Sequence, residues 1–232
     1  MKKLFVLLVI AGAVYGFFWL IYPSASLRYE ITVEVEVDGE VYAGSNVHEV
    51  TLGRQPTLAD ASPAYSRFKG EAVAIDIADR GTLFMLLTGL RGPSSRNEPF
   101  SSEHGYSADP EQLLNVVFDV RPSSAEAVRS LPSRIIDGDV PFNRLPMMVR
   151  FEDITDPTTV ALVNPFDLAA SFGEGVELRR VHVQTTRARV TVGIDDRLPW
   201  LGSIRASLDG STLYHGRTLA NSVGVLNFRR DF

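Results

Sequence analysis

Residues 28–37 read RYEITVEVEV, and from Glu30 onward polar and β-branched residues alternate without a break. Ile31, Val33, Val35 and Val37 fall on one side of an extended chain, and Glu30, Thr32, Glu34 and Glu36 on the other. Successive strand side chains point to opposite faces, so this period of two specifies a half-buried β-strand. Asp38-Gly39 follows at once, a pair suited to the two-residue hairpin turn whose central residues take positive φ. Residues 40–52 then return as the partner strand. The side carrying Glu34 and Glu36 is expected to be solvated, an acidic hairpin face open to a partner.

The chain beyond this hairpin keeps to short strands. Residues 70–77 (GEAVAIDI) and 82–87 (TLFMLL) read as strands on either side of an Asp79-Arg80-Gly81 turn, with 53–65 as a loop before them and 145–151 as a core strand after them. Residues 176–185 (VELRRVHVQT) alternate on both sides of Arg179-Arg180, where the phase slips, as at a β-bulge. Short helices are expected over 111–120 and 123–131, the second capped by Ser123 or Ser124 and closed by Pro132. A third has Asn164 as N-cap, Pro165 at its first position, Asp167 at N3 and Gly173 beyond its end. The last thirty residues read as strand and turn, with Asp209-Gly210 as a second hairpin signal and LNFRRDF (226–232) as an edge strand. Residues 91–110 are rich in Gly, Pro, Ser and Asn, a polar length suited to a functional loop, and His104 lies within it. Strands followed by inserted helices, without βαβ alternation, define a β-rich α+β fold, mainly antiparallel.

Ahead of this body, residues 4–22 (LFVLLVIAGAVYGFFWLIY) contain no charge. At 1.5 Å per residue a helix of that length reaches about 28 Å, close to a bilayer's hydrocarbon thickness. Tyr15, Trp19 and Tyr22 gather toward its far end, where amphipathic rings favour the membrane–water boundary, and Pro23 stops the helix. The run exceeds the apolar core of a cleaved signal peptide. Residues 1–23 are therefore expected to be a single transmembrane anchor and 24–232 one exported domain. Lys2 and Lys3 keep the N-terminus cytoplasmic, which places the body in the periplasm, on an inner membrane. Gly12 and Gly16 share one helix face, a spacing that would let two such helices pair.

Charge and composition narrow the function. The chain carries −5, so the body without Lys2 and Lys3 carries −7, which argues against a nucleic-acid partner. Without cysteine there is no disulfide, thiolate nucleophile or Cys-ligated metal. His48, His104, His182 and His215 lack any metal-ligand spacing. Ser66-Arg67-Phe68-Lys69 matches S-x-x-K, but the S-D-N and K-T-G elements of penicillin-recognising enzymes are missing. Glu152, Asp153 and Asp156, with Asp137 and Asp139, lack the EF-hand spacing and read as turn carboxylates. No cofactor, metal or catalytic set is implied. Asp195-Asp196 beside Leu198-Pro199-Trp200-Leu201 offers a docking patch or, alternatively, a capped turn whose Trp200 plugs the core. The candidate partner-binding residues are thus Asp195, Asp196, Trp200, His104, Glu34 and Glu36.

The segments GSNVHEV (44–50), GEAVAIDI (70–77), TLFMLL (82–87) and the run from Val149 to Leu201, above all VRFEDITDPTTVALVNPFDLAASFGEGVELRRVHVQTT and GIDDRLPWL, give the chain its character. On them it resembles a family of uncharacterised proteobacterial membrane-anchored proteins. The resemblance implies one co-folded exported unit and no particular activity. The expected function is an accessory or binding module for another envelope component, with an envelope hydrolase built on carboxylates or histidines as the alternative.

Overall fold

The computed structural model describes residues 2–57, 62–89, 110–121, 123–212 and 218–230. Its elements in chain order are α1 (Lys2–Ile21), β1 (Ser24–Val37), β2 (Glu40–Arg54), β3 (Ala64–Glu71), β4 (Val73–Asp76), β5 (Thr82–Met85), α2 (Pro110–Phe118), α3 (Ala125–Ser130), β6 (Asp137–Asp139), β7 (Met148–Phe151), β8 (Val160–Val163), α4 (Ala169–Phe172), β9 (Val176–Thr185), α5 (Ile194–Arg197), α6 (Leu219–Ser222) and β10 (Arg229–Arg230). Among the described residues they build a six-stranded sheet in the order β10-β3-β2-β1-β9-β6 and a four-stranded sheet in the order β4-β5-β7-β8. The fold is β-rich α+β with antiparallel sheets. The residues divide into two compact units, one of Met1–Leu27, Val50–Arg67 and Val120–Arg134, the other of Arg28–Glu49, Phe68–Asp119 and Ile135–Phe232.

In the larger unit the alternation of β1 becomes a buried face. Ile31, Val33 and Val35 are each fully buried, and they stand opposite Val183, Val181 and Leu178 of antiparallel β9. Burying one such side chain stabilises by roughly 1.5–3 kcal/mol, so this seam of branched residues fixes the register. A one-residue slip would send the glutamates inward. Asp38 and Gly39 turn the hairpin with φ of 51° and 91°. Arg80 ties that turn down, its Nη2 donating to Asp38 Oδ2 at 2.6 Å.

The four-stranded sheet supplies a second core. Phe84, Leu86 and Val149 pack there with Ile194, Leu198, Leu201, Val223 and Phe228, whose elements otherwise have little regular structure. Three sequence expectations shift in this region. The strand expected over 70–77 breaks at Ala72, so Glu71 ends β3 and Val73 begins β4 in the other sheet. The helix expected from Asn164 is a single turn beginning at Ala169. Asn164 Oδ1 instead accepts from Phe166 N at 3.0 Å in a separate turn, and Asp167 Oδ1 accepts from Ala170 N at 3.1 Å. The Asn164 bond holds a turn that competes with a helix starting there, while Asp167 satisfies a free N–H at the start of α4. Asp209-Gly210 turns as expected, with Gly210 at φ 76°, but among the described residues it joins no strand pair. Ser207 and Gly224 meet only as an isolated bridge, and α6 occupies the return.

The smaller unit holds α1 and what surrounds its C-terminal end. Arg54 N donates to Pro23 O at 3.0 Å, and Tyr65 Oη donates to Ser24 Oγ at 3.1 Å. The expected loop over 53–65 gives way to strand at both ends, because β2 runs on to Arg54 and β3 starts at Ala64. Ser66 and Lys69 therefore lie on a strand and not at the head of a helix. Ser124 caps α3, its Oγ accepting from Ala127 N at 3.0 Å, and Pro132 lies in the 3-10 turn that follows. Among the described residues no helix is long and apolar enough to cross a membrane. The segment that carried that expectation is helical over Lys2–Ile21, and the side chains at 2, 5, 13 and 14 lie outside the described ones.

Candidate functional site

Strand alternation that buries Ile31, Val33, Val35 and Val37 must expose what lies between them, and here that is charge. Across β1 and β9 the outward pairs are Glu30 with Gln184, Thr32 with His182 and Glu34 with Arg180. The register slips between Glu34 and Val35, so Arg179 is the extra residue of a bulge at the place where the sequence shifts phase. The bulge turns both arginines onto the acids. Arg180 Nη2 lies 2.6 Å from Glu34 Oε1, and Arg179 Nη1 lies 3.5 Å from Glu36 Oε2. The hydrogen bond it donates to Glu34 holds the Arg180 guanidinium above its ordinary pKa. Glu34 and Glu36 on the face expected to be acidic are therefore charge-compensated, partnered by a strand about 145 residues away in sequence.

β6 extends this face. His182 Nδ1 lies 2.7 Å from Asp139 Oδ1, and its Nε2 lies 3.1 Å from Asp137 Oδ1. Two carboxylates on opposite ring nitrogens grip the imidazole rather than converge on one point. Among the described residues no group of three or more His, Asp or Glu side chains is arranged to hold a metal ion. Glu152, Asp153 and Asp156 mark a turn: Asp153 Oδ1 accepts from Thr155 N and Oγ1 at 2.8 and 2.7 Å, and Asp156 Oδ1 accepts from Thr158 N at 2.9 Å. Those bonds from Thr155 hold the Asp153 carboxyl below its ordinary range.

Asp195, Asp196 and Trp200 lie on α5 and the 3-10 turn Pro199–Gly202 that follows it. Asp195 pairs with Arg229 of β10, while Asp196 remains exposed. Trp200 is half-buried, its ring centroid 5.4 Å from Phe151 and 5.8 Å from Phe228, and its Nε1 donates to Ile154 O at 2.8 Å. It forms a wall of the second core, with the exposed Asp196 on the helix just before it. His104 lies outside the described residues. The structure thus brings Glu34 and Glu36 together with Arg179, Arg180, His182, Asp137 and Asp139. No sequence signal links those last residues to β1 except the phase slip at Arg179-Arg180.

One of the four histidines lies in a setting that its spacing did not indicate. His48 is fully buried on β2, with its ring between Tyr29 and Phe68 at 5.4 and 5.1 Å. Its Nε2 bonds Glu71 O at 2.8 Å, and Glu71 Oε2 accepts from Ile194 N at 2.8 Å. Burial lowers the His48 pKa from 6.5 to about 4, against an opposing pull from that backbone bond. Gly70 makes room for the ring, because a Cβ there would come within 2.5 Å of His48 Cδ2. Gly70→Ala is expected to lower unfolding free energy by about 1–3 kcal/mol, read from the urea midpoint. An unchanged midpoint would show that the imidazole is free to move aside. A lone histidine in a strand carries no visible mark of such burial, which depends on partners from β3.

In comparisons with known proteins, no family model, curated protein or solved structure matches the chain. The kinship suggested by residues 44–50, 70–77, 82–87 and 149–201 therefore rests on those residues alone.

Proposed function

We propose that the chain is tethered to the bacterial inner membrane by α1 and that its β-rich body binds another envelope component in the periplasm. One observation carries the tether: α1 is apolar on every side, and its described apolar side chains stand exposed, Leu4 at 68%, Leu7 at 67%, Phe17 at 61% and Trp19 at 65%. A helix that is hydrophobic all round belongs in a protein core or a bilayer. The charged face of β1, β9 and β6 is the binding surface, because it presents both signs in a fixed array on regular strands. Rigid elements position polar groups better than loops do.

Two measurements test this. Full-length protein in cell membranes should resist extraction by alkaline carbonate; complete release would end the tether. Replacing Glu34, Arg179 and Arg180 together with glutamine should change the thermal midpoint little, since both arginines are exposed, Glu34 is only partly buried, and such surface pairs contribute little. The same change should abolish cross-linking to whatever envelope component the wild type captures. Capture by the triple variant at wild-type yield would remove this face from the function.

A further inference from the structure

The charge of the chain is split between its two units. In the smaller unit, the segments beyond α1 carry Arg54, Arg67, Arg121, Arg129 and Arg134 against only Asp60 and Glu126, a net +3. With Lys2 and Lys3 that unit reaches +5, so the larger unit carries −10 of the chain's overall −5. Of the five arginines, Arg129 touches the last turn of α1, Arg54 bonds the residue after Tyr22, and Arg67 reaches the start of β1 through Tyr65. Arg129 Nη2 donates to Leu20 O in the last turn of the helix, where a cation also complements the helix dipole. Arg54 is fixed through its backbone N to Pro23 O at 3.0 Å, and its Nη1 reaches Ser123 O at 3.4 Å. Arg67 lies over the ring of Tyr65 at 5.3 Å, and Tyr65 Oη bonds Ser24 Oγ at 3.1 Å. Arg67 and Arg129 are exposed, and Arg54 is half-exposed.

From this placement we infer that Arg54, Arg67 and Arg129 form a cationic collar around the end of α1 that binds anionic phospholipid headgroups of the membrane α1 enters. The inference rests on the tether proposed above. The collar's position is that of the interfacial rings: Trp19 lies in the last turn of α1 and Tyr22 just after it, where such residues favour the headgroup layer. Guanidinium groups pair bidentately with phosphate, which suits them to that layer better than lysines. None of the five arginines lies within the roughly 15–20 residues flanking the helix that set its orientation, so folding assembles the collar without opposing export of the body. The collar would fix the tilt and stand-off of the smaller unit at the bilayer, where a bare apolar helix leaves it free to swing.

The chain has no cysteine, so a single label can be placed at the exposed Ser130 beside Arg129. Full-length Ser130→Cys protein, labelled with an environment-sensitive fluorophore, is reconstituted into phosphatidylcholine vesicles with and without phosphatidylglycerol. Carbonate extraction is measured first. Release from both compositions would overturn the tether, and the collar with it. Where the protein is retained in both, quenching by a headgroup-attached quencher reads the collar. Stronger quenching with phosphatidylglycerol, abolished at about 1 M salt where the screening length falls to about 3 Å, supports the collar. Replacing Arg54, Arg67 and Arg129 with glutamine should then reduce the docked-to-undocked ratio on the order of fivefold per arginine. Replacement with lysine should keep most of it, which separates charge from folding. Equal quenching in the two compositions, or quenching that survives the glutamine variant, would overturn the collar while leaving the tether intact.

Discussion

Phe228→Ala is expected to be among the most destabilising single changes in the larger unit, at about 3–5 kcal/mol. The side chain is fully buried, and its ring meets Trp200 at 5.8 Å, Phe151 at 6.1 Å and Phe84 at 6.3 Å. Truncation removes more than one ring's worth of apolar contact. It opens a cavity shared by three aromatic side chains that cannot collapse together without leaving their rotamers. Backbone bonds at the same place couple the loss to both sheets: Ala72 N donates to Phe228 O at 2.7 Å, and Leu87 N donates to Asn227 O at 2.7 Å. For a chain of this size each kcal/mol moves the thermal midpoint by about 2–4 °C, so a drop of roughly 6–20 °C is expected. Phe166→Ala serves as the contrast. That ring is 55% exposed, and its loss should change stability by only about 0.5 kcal/mol. Equal effects of the two substitutions would mean that the residues after α6 do not close a core.

That contrast also marks what the sequence disclosed. The β1 hairpin was legible because it is written twice, once in strict alternation from Glu30 to Val37 and again in Asp38-Gly39, and local pattern and turn chemistry agree. The bulge in β9 was legible for a related reason: both flanking segments keep their own buried face, so the extra residue shows as a slip at Arg179-Arg180. The C-terminal third was not. Leu198, Leu201, Leu208, Val223 and Phe228 share a core at irregular spacing along the chain, and the helices described between them are single turns. Periodicity cannot report burial that depends on tertiary closure. The candidate site divides in the same way. Glu34 and Glu36 were visible as an outward face, but their neutralisation by Arg179 and Arg180 belongs to a pairing about 145 residues apart in sequence. The turn at Asn164 misled for a local reason, since its side chain accepts a backbone bond two residues on and never reaches a helix N-terminus.

His48 gives the sharpest pH dependence expected of this chain. A carbonyl only accepts, so the bond to Glu71 O requires the proton on Nε2, and the buried Nδ1 finds no partner among the described residues. Protonating Nδ1 would place a fully buried cation between the rings of Tyr29 and Phe68. The folded pKa of about 4 lies below the ordinary 6.5, so between these values the unfolded chain takes up a proton that the folded chain refuses. The stability associated with neutral His48 is therefore complete above the ordinary value. It falls as pH drops through that window and levels off below the folded value, losing on the order of 3 kcal/mol in total. His48→Leu keeps an apolar side chain in the pocket, and Asn46 Nδ2 still donates to Glu71 O at 3.2 Å, so the carbonyl is not stranded. Urea unfolding of both proteins across the window should show the wild type losing stability more steeply as pH falls, with the variant's curve flatter by about that amount. Should the variant fold poorly, the imidazole resonance of wild-type His48 gives the same information, because it should keep its neutral shift well below the range in which solvated histidines titrate. Parallel stability curves, or a His48 resonance that titrates with the solvated ones, would show that the ring is reached by water and that its burial does not govern acid stability.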